Sequence, residues 1–292
     1  MSVAGPPQDA NRPPGGSAAA QPQAWGDHTS APASGVELVV NALSIRFGGL
    51  VAVDDMSFDV RTGEVLSLIG PNGAGKTSAF NAITGYLHAS SGEITYRGQR
   101  LNGLRPHEIA AMGVVRTFQK TSVFGGQSVL DNVLIGLHLR SRQKPVAIML
   151  GLPSVKREER ALQAVARDIL RFVGLESRSH EQGAALPYGE QRLLEVAVAL
   201  AASPRLLLLD EPVSGMNPVE KADFMETLAR IRARDVTVLL VEHDMRTVMG
   251  VSDRVVVLNQ GRIIANGPPA DIQRNPEVIR AYLGERYARA HG

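Results

Sequence analysis

Eight residues limit the folds open to this chain: Gly70-Pro71-Asn72-Gly73-Ala74-Gly75-Lys76-Thr77, set between the apolar run Val65 to Ile69 and a helix-compatible stretch from Ser78 to Thr84. Strand, glycine loop and helix start follow one another without a gap. A phosphate chain is bound by backbone N–H groups that come close to it. Gly70, Gly73 and Gly75 let the loop curl without Cβ clashes, and the helix that follows presents its positive end. Lys76 has the reach for the β and γ phosphates. Thr77 offers a hydroxyl to a phosphate-bound Mg²⁺, a hard ion that takes oxygen ligands and keeps several waters. The expected nucleotide contacts are Gly70, Pro71, Asn72, Gly73, Ala74, Gly75, Lys76, Thr77 and Ser78.

The rest of the composition narrows the class. A chain of 292 residues, 44% apolar and 21% charged, has material for one large domain or a domain with an inserted subdomain. With 31 basic against 29 acidic side chains and few aromatics, neither charge nor base stacking argues for a nucleic-acid partner. The absence of cysteine excludes disulfides, thiolate metal sites and thiol catalysis. No apolar run approaches the length of a membrane-spanning helix, and the N-terminus lacks a signal-peptide pattern; the triphosphate site points to the cytoplasm. Residues 1–35, rich in Pro, Gly, Ala and Ser, read as a disordered tail.

From Val36 the pattern turns to short alternating segments, Val36 to Phe47 and Val51 to Val60, which are antiparallel strand signals around Gly48-Gly49. Gly92 to Arg97 and Val114 to Phe118 read as further strands, the latter ending at Gln119. Between Lys120 and Leu186 helical periodicity takes over, in Val129 to Leu139 and Arg157 to Val173, and predicts an inserted helical subdomain. Within it, Val146 to Leu150 reads as a buried loop. Leu206 to Leu209 and Val236 to Val241 are continuous apolar runs, suited to parallel strands covered on both faces. A strand pair, Arg254 to Asn259 and Arg262 to Ala265, precedes a last helical stretch, Pro276 to Arg289. The core is thus a mixed α/β sheet.

Three constellations carry chemistry. Asp210 and Glu211 stand at the C-terminal end of a buried strand, where α/β sheets place their ligands. The two side chains diverge there, so Asp210 can hold the water shell of Mg²⁺ beside Thr77 while Glu211 polarises an attacking water. His243 follows another continuous apolar strand and lands at the same sheet edge, as a γ-phosphate sensor. Gln119 has an amide able to reach Mg²⁺ or water and opens the helical insertion. Finally, Leu186-Pro187-Tyr188-Gly189-Glu190-Gln191-Arg192 opens the helix Leu193 to Ala202, a second glycine-bearing helix N-terminus. Two phosphate-binding ends too far apart to share one phosphate predict a head-to-tail dimer that sandwiches nucleotide.

With these motifs in place the chain, from Val36 to Glu285, resembles an ABC transporter ATP-binding subunit, in particular those of the branched-chain amino-acid uptake group. The subgroup resemblance rests on Phe47 to Val53, Gly113 to Gln119, Glu242 to Met245 and Asn275 to Glu285. It implies a P-loop NTPase fold of ABC type, with an antiparallel β subdomain and a helical subdomain at about 120–186, followed by a short C-terminal tail over 286–292. Carried over by position, Gly70 to Thr77 corresponds to Walker A, Gln119 to the Q-loop, Leu186 to Glu190 to the signature, and Leu206 to Asp210 to Walker B. Glu211 corresponds to the catalytic carboxylate, Ser214, Gly215, Met216 and Asn217 to the D-loop, and His243 to the switch histidine. Phe47 suits the aromatic that stacks on adenine.

There are departures. Pro187-Tyr188 stands for the signature's usual Ser-Gly, Glu190 for its Gln, and Asn217 for the D-loop's usual Asp. The resemblance implies an Mg²⁺- and ATP-dependent hydrolase on the cytoplasmic face of the inner membrane, paired with a second ATPase subunit, transmembrane permeases and, indirectly, a substrate-binding protein. The alternatives are another transporter's ATPase, such as that of lipopolysaccharide export, or a soluble ABC protein without a transport role.

Overall fold

The computed structural model describes residues 35–117, 123–138 and 153–282. Gln119, the Val146 to Leu150 stretch, the N-terminal segment before Gly35 and the chain after Tyr282 lie outside these residues. The chain begins with a hairpin, β1 (Val36–Phe47) and β2 (Leu50–Arg61), joined at Gly48-Gly49. In β1 the buried positions change parity, from Leu38 and Val40 to Leu43 and Ile45. The change falls where Ala42 takes a left-handed φ of 49° and the pairing slips between Val40 and Leu43. One extra residue flips the faces, which keeps both apolar pairs in the core. With β4 (Ser91–Tyr96) and β5 (Gln99–Arg100) these strands form an antiparallel sheet in the order β2-β1-β4-β5.

The second sheet has six strands in the order β10-β9-β3-β8-β7-β6. Its centre is parallel: β3 (Val65–Ile69), β8 (Thr237–Val241) and β7 (Leu206–Asp210), each buried along its whole length. Beside β7 lies β6 (Val114–Arg116), and beside β3 lies β9 (Arg254–Asn259), also parallel, with β10 (Arg262–Gly267) antiparallel at the edge. The continuous apolar runs follow from coverage on both faces. Leu206 and Leu208 enter one core with Leu66, Leu68 and Phe80, under the antiparallel sheet and α1 (Lys76–Ile83). Leu207 and Leu209 enter the other.

That other core is roofed by α3 (Val129–His138), α4 (Pro153–Phe172), α5 (Tyr188–Ala201) and α6 (Pro218–Arg232). The helical insertion and the sheet therefore share one apolar core. A smaller cluster joins Ile69 and Val255 to α7 (Met245–Val251), α8 (Pro269–Arg274) and a helix α9 over 276–282. A short α2 (Pro106–Ala111) precedes β6.

Several boundaries differ from expectation. Helix α1 opens at Lys76, two residues early, because Gly75 already serves as its N-cap. Helix α5 opens at Tyr188 directly after Pro187, so the signature residues form its first turn rather than a loop before it. Strand β6 stops at Arg116, one backbone bond before the pairing with β7 ends, since Thr117 N still donates to Leu208 O at 3.0 Å.

Candidate functional site

The glycine loop leaves β3 after Ile69, and two of its glycines are demanded by neighbouring backbone. A Cβ on Gly70 (φ 150°) would stand 2.1 Å from Leu258 O on β9, and one on Gly75 (φ 104°) would stand 2.4 Å from Ala52 O on β2. Gly73 meets nothing within 4 Å, so only its φ of 78° requires glycine. Ala74 and Pro71 are buried, Asn72 and Thr77 exposed, and Ser78 half-buried. Lys76, 7% exposed, donates from Nζ to Gly70 O at 2.6 Å and Pro71 O at 2.9 Å. Neutral carbonyls hold this ammonium, and phosphate oxygens carrying charge compete well for it. No side chain caps α1, and no acidic residue sits in its first turn. Phe47 pairs with Leu50 at the tip of the hairpin whose Ala52 touches Gly75, and it is 48% exposed.

Asp210 ends β7 opposite Val241, its side chain 1% exposed. Arg116 Nη2 donates to Asp210 Oδ2 at 2.6 Å, and Arg116 Nη1 to Asn81 Oδ1 at 2.6 Å, with the guanidinium 5.6 Å from the Phe80 ring centroid. Asp210 Oδ1 is buried without a hydrogen-bond partner. A buried carboxylate oxygen left in that way fits a cation's water shell. At Glu211 a left-handed φ of 46° turns the chain, its N–H donates to Val241 O at 2.8 Å, and its side chain is 38% exposed. His243, beyond β8, brings Nδ1 to 3.8 Å from Glu211 Oε1. The parallel pairing of β7 with β8 is what joins them, since both residues follow strands ending at one edge.

The residues expected to form the signature and the D-loop meet each other within one chain. Pro187 is the N-cap of α5 and makes no side-chain cap. Tyr188 lies over Gly215 (φ 79°), where a Cβ would be 3.2 Å from Tyr188 Cε1, and its hydroxyl accepts from Arg192 Nη2 at 2.8 Å. Glu190 pairs with Arg178 at 2.8 Å. A Cβ on Gly189 would stand 2.8 Å from Glu220 Cγ and Cδ. Ser214 is half-buried, whereas Met216 is 7% exposed and packs in the core. Asn217 caps α6, accepting from Val219 N at 2.9 Å and Glu220 N at 3.0 Å, while Glu220 returns a bond to Asn217 N. Asn is as good a cap as Asp, which accounts for that departure locally.

Comparison with known proteins decides the family. Residues 53–214 match the ABC transporter model, and residues 262–288 match that of the branched-chain amino acid ATP-binding cassette transporter. The chain belongs to the ABC transporter ATP-binding cassettes. This cassette is 45% identical over 249 residues to the high-affinity branched-chain amino acid transport ATP-binding protein LivG of Salmonella typhimurium, covering 85% of this chain and 98% of LivG. Against BraF of Pseudomonas aeruginosa the identity is 43% over the same shares. The lipopolysaccharide export ATP-binding protein LptB of Acidithiobacillus ferridurans is 36% identical, over 81% and 92% of the two chains. Among solved structures, the ADP conformation of an ABC transporter cassette aligns with a TM-score of 0.76 at 30% identity, covering 86% of this chain and 99% of that one. The cassette is accordingly a nucleotide-binding ATPase of P-loop fold. No helix among the described residues is long and apolar enough to cross a membrane.

Two residues of the cassette's site escaped the reading of its sequence. In the sequence Arg116 reads only as part of a strand. The available signal was a lone cation in a short strand otherwise apolar. Glu242 reads in the sequence only as part of a motif, although a carboxylate wedged between a strand that is apolar from Val238 to Val241 and His243 must find donors or not be buried.

Proposed function

We infer that this cassette is the ATP-hydrolysing subunit of an importer for branched-chain amino acids or related small solutes. It acts as a nucleotide-sandwiching dimer on the cytoplasmic face of the inner membrane. The observation that carries the hydrolytic part is Glu211 Oε1 lying 3.8 Å from His243 Nδ1 at the edge of the parallel sheet. In the reaction, Lys76 exchanges its bonds to the Gly70 and Pro71 carbonyls for phosphate oxygens. The loop's amides and the N-terminus of α1 cradle the phosphates, with Phe47 against the adenine. Glu211 accepts the proton of the attacking water, and His243 orients that water against the γ phosphate.

Thr77, Gln119 and, through water, Asp210 would hold Mg²⁺; the partnerless Asp210 Oδ1 supports this. When bound, the ion neutralises charge developing on the phosphates. The signature residues Pro187 to Glu190 and, of the D-loop, Ser214, Gly215 and Asn217 face the nucleotide of the second ATPase subunit, while Met216 anchors that loop in the core. The domain runs over 36–285, and its helical part, about 120–186, passes the motion to transmembrane permeases served by a substrate-binding protein. What favours amino-acid import over lipopolysaccharide export is the C-terminal match over 262–288 and the 45% against 36% identities.

Two measurements test this. Glu211→Gln should retain ATP, hydrolyse it about 10²-fold more slowly and accumulate the dimer; turnover at the native rate would overturn the assignment. Deleting the gene should abolish uptake of radiolabelled leucine, isoleucine or valine by cells, and unchanged uptake of all three would overturn the cargo.

A further inference from the structure

Glu242 follows β8 directly and is 0% exposed. Its carboxylate is held by backbone amides: Val213 N donates to Oε1 at 3.0 Å, and His243 N and Asp244 N to Oε2 at 3.1 and 3.4 Å. His243 Nδ1 lies 4.0 Å from Oε2. Burial pushes this carboxyl up from its usual range, and the amide donors act against that shift. Enclosing a carboxylate so completely is costly, and an apolar side chain would fill the space more cheaply. What an apolar side chain cannot do is tie together loops that lie 29 residues apart in sequence. Val213 stands two residues after Glu211 and directly before the D-loop. His243 and Asp244 are the switch loop itself. Outside the clamp, Lys221 on α6 makes a second tie to Asp244.

We propose that Glu242 is a positioning residue for hydrolysis: it fastens the D-loop to the switch loop and so fixes how Glu211 and His243 face each other. The inference rests on reading Glu211 as the base and His243 as the switch. Each oxygen of the carboxylate accepts on a different loop, so only a side chain with two acceptors serves both. In Glu242→Gln the shape is kept, but the NH₂ group must oppose backbone N–H donors on one side. One loop is then released, and small displacements of catalytic groups are expensive in rate.

The test compares the native full-length chain with Glu242→Gln and Glu211→Gln, measuring ATP affinity, kcat and amide exchange. Expected for Glu242→Gln are ATP affinity within about twofold of native, kcat lower by roughly tenfold or more, and faster exchange at Val213 or at His243 and Asp244. If Glu211→Gln is slow while Glu242→Gln turns over normally, the clamp is wrong and the site reading stands. If Glu211→Gln itself turns over normally, the site reading fails and the clamp with it. If kcat and ATP affinity of Glu242→Gln fall together, the residue is merely structural and the proposal is overturned. Should Glu242→Gln not fold, Glu242→Asp, which keeps the charge but is one methylene shorter, is read by the same split.

Discussion

Replacing Arg116 by Met should destabilise this protein more than almost any other single polar substitution. The Arg116–Asp210 pair is 2.6 Å long, with side-chain exposures of 9% and 1%, so solvent screening does little to weaken it. Arg116→Met leaves Asp210 with neither oxygen partnered, since Oδ1 already has no donor. Removing one member of a buried pair costs about 3–5 kcal/mol. The lost bond to Asn81 adds about 0.5–1.5 kcal/mol at most, part of which the thioether's packing on Phe80 returns. The expected loss is therefore about 3–5 kcal/mol, or on the order of 10 °C in Tm for a domain of this size. Urea unfolding at neutral pH, with the m-value checked for constancy, measures it. The double variant Arg116→Met with Asp210→Leu should be far less destabilised than Arg116→Met alone, because no charge is left unpaired, yet it should lose hydrolysis. A loss below about 1 kcal/mol for Arg116→Met, or a double variant worse than either single one, would refute the reasoning. The pair occupies one oxygen of Asp210 and leaves the other without a hydrogen-bond partner.

Gly189→Asp should leave ATP binding at Lys76 intact while preventing ATP-driven dimerisation. It should also lower stability by about 1 kcal/mol, because the new carboxylate faces Glu220 and disturbs the cap of α6. Gel filtration with and without ATP, beside Gly189→Ala as an uncharged control, checks both parts, and a persisting ATP-dependent dimer would refute the first. A second expectation concerns Asp244, whose carboxyl is held below its usual range, chiefly by its bond from Lys221. A depressed carboxylate contributes stability that is fully present above its unfolded pKa, near 3.9, and is lost as pH falls through the lower folded value. Asp244→Asn keeps an acceptor for the amides of Arg246 and Thr247 and removes only the charge. Its stability deficit, followed by denaturant unfolding, should stay constant from pH 8 to pH 5 and shrink only below about pH 4. A deficit that changes between pH 8 and pH 6 would show that another group is responsible.

The sequence by itself determined the parts of this protein whose cause is local. The glycine loop is legible because its strand, loop and helix are contiguous. The predominantly apolar runs ending at Leu209 and Val241 announce parallel strands buried on both faces, and that places Asp210, Glu211 and His243 at one edge. The reversal of burial in β1 at Ala42 left only a break in alternation, easily passed over. Helix α6 was missed because its apolar stripe is thin, though the capping pair Asn217 and Glu220 marked its start. Tertiary structure alone decided which side chains those elements bring together. Arg116 and Asp210 are 94 residues apart in the chain, and no period relates them. Glu242 finds its donors on a loop 29 residues away. Gly189 packs directly against the Glu220 side chain of a different helix, and Met216, placed by its motif among functional residues, is claimed by the core. Periodicity and turn chemistry act over one or two turns of chain, whereas burial of charge is resolved only when distant strands and helices have packed.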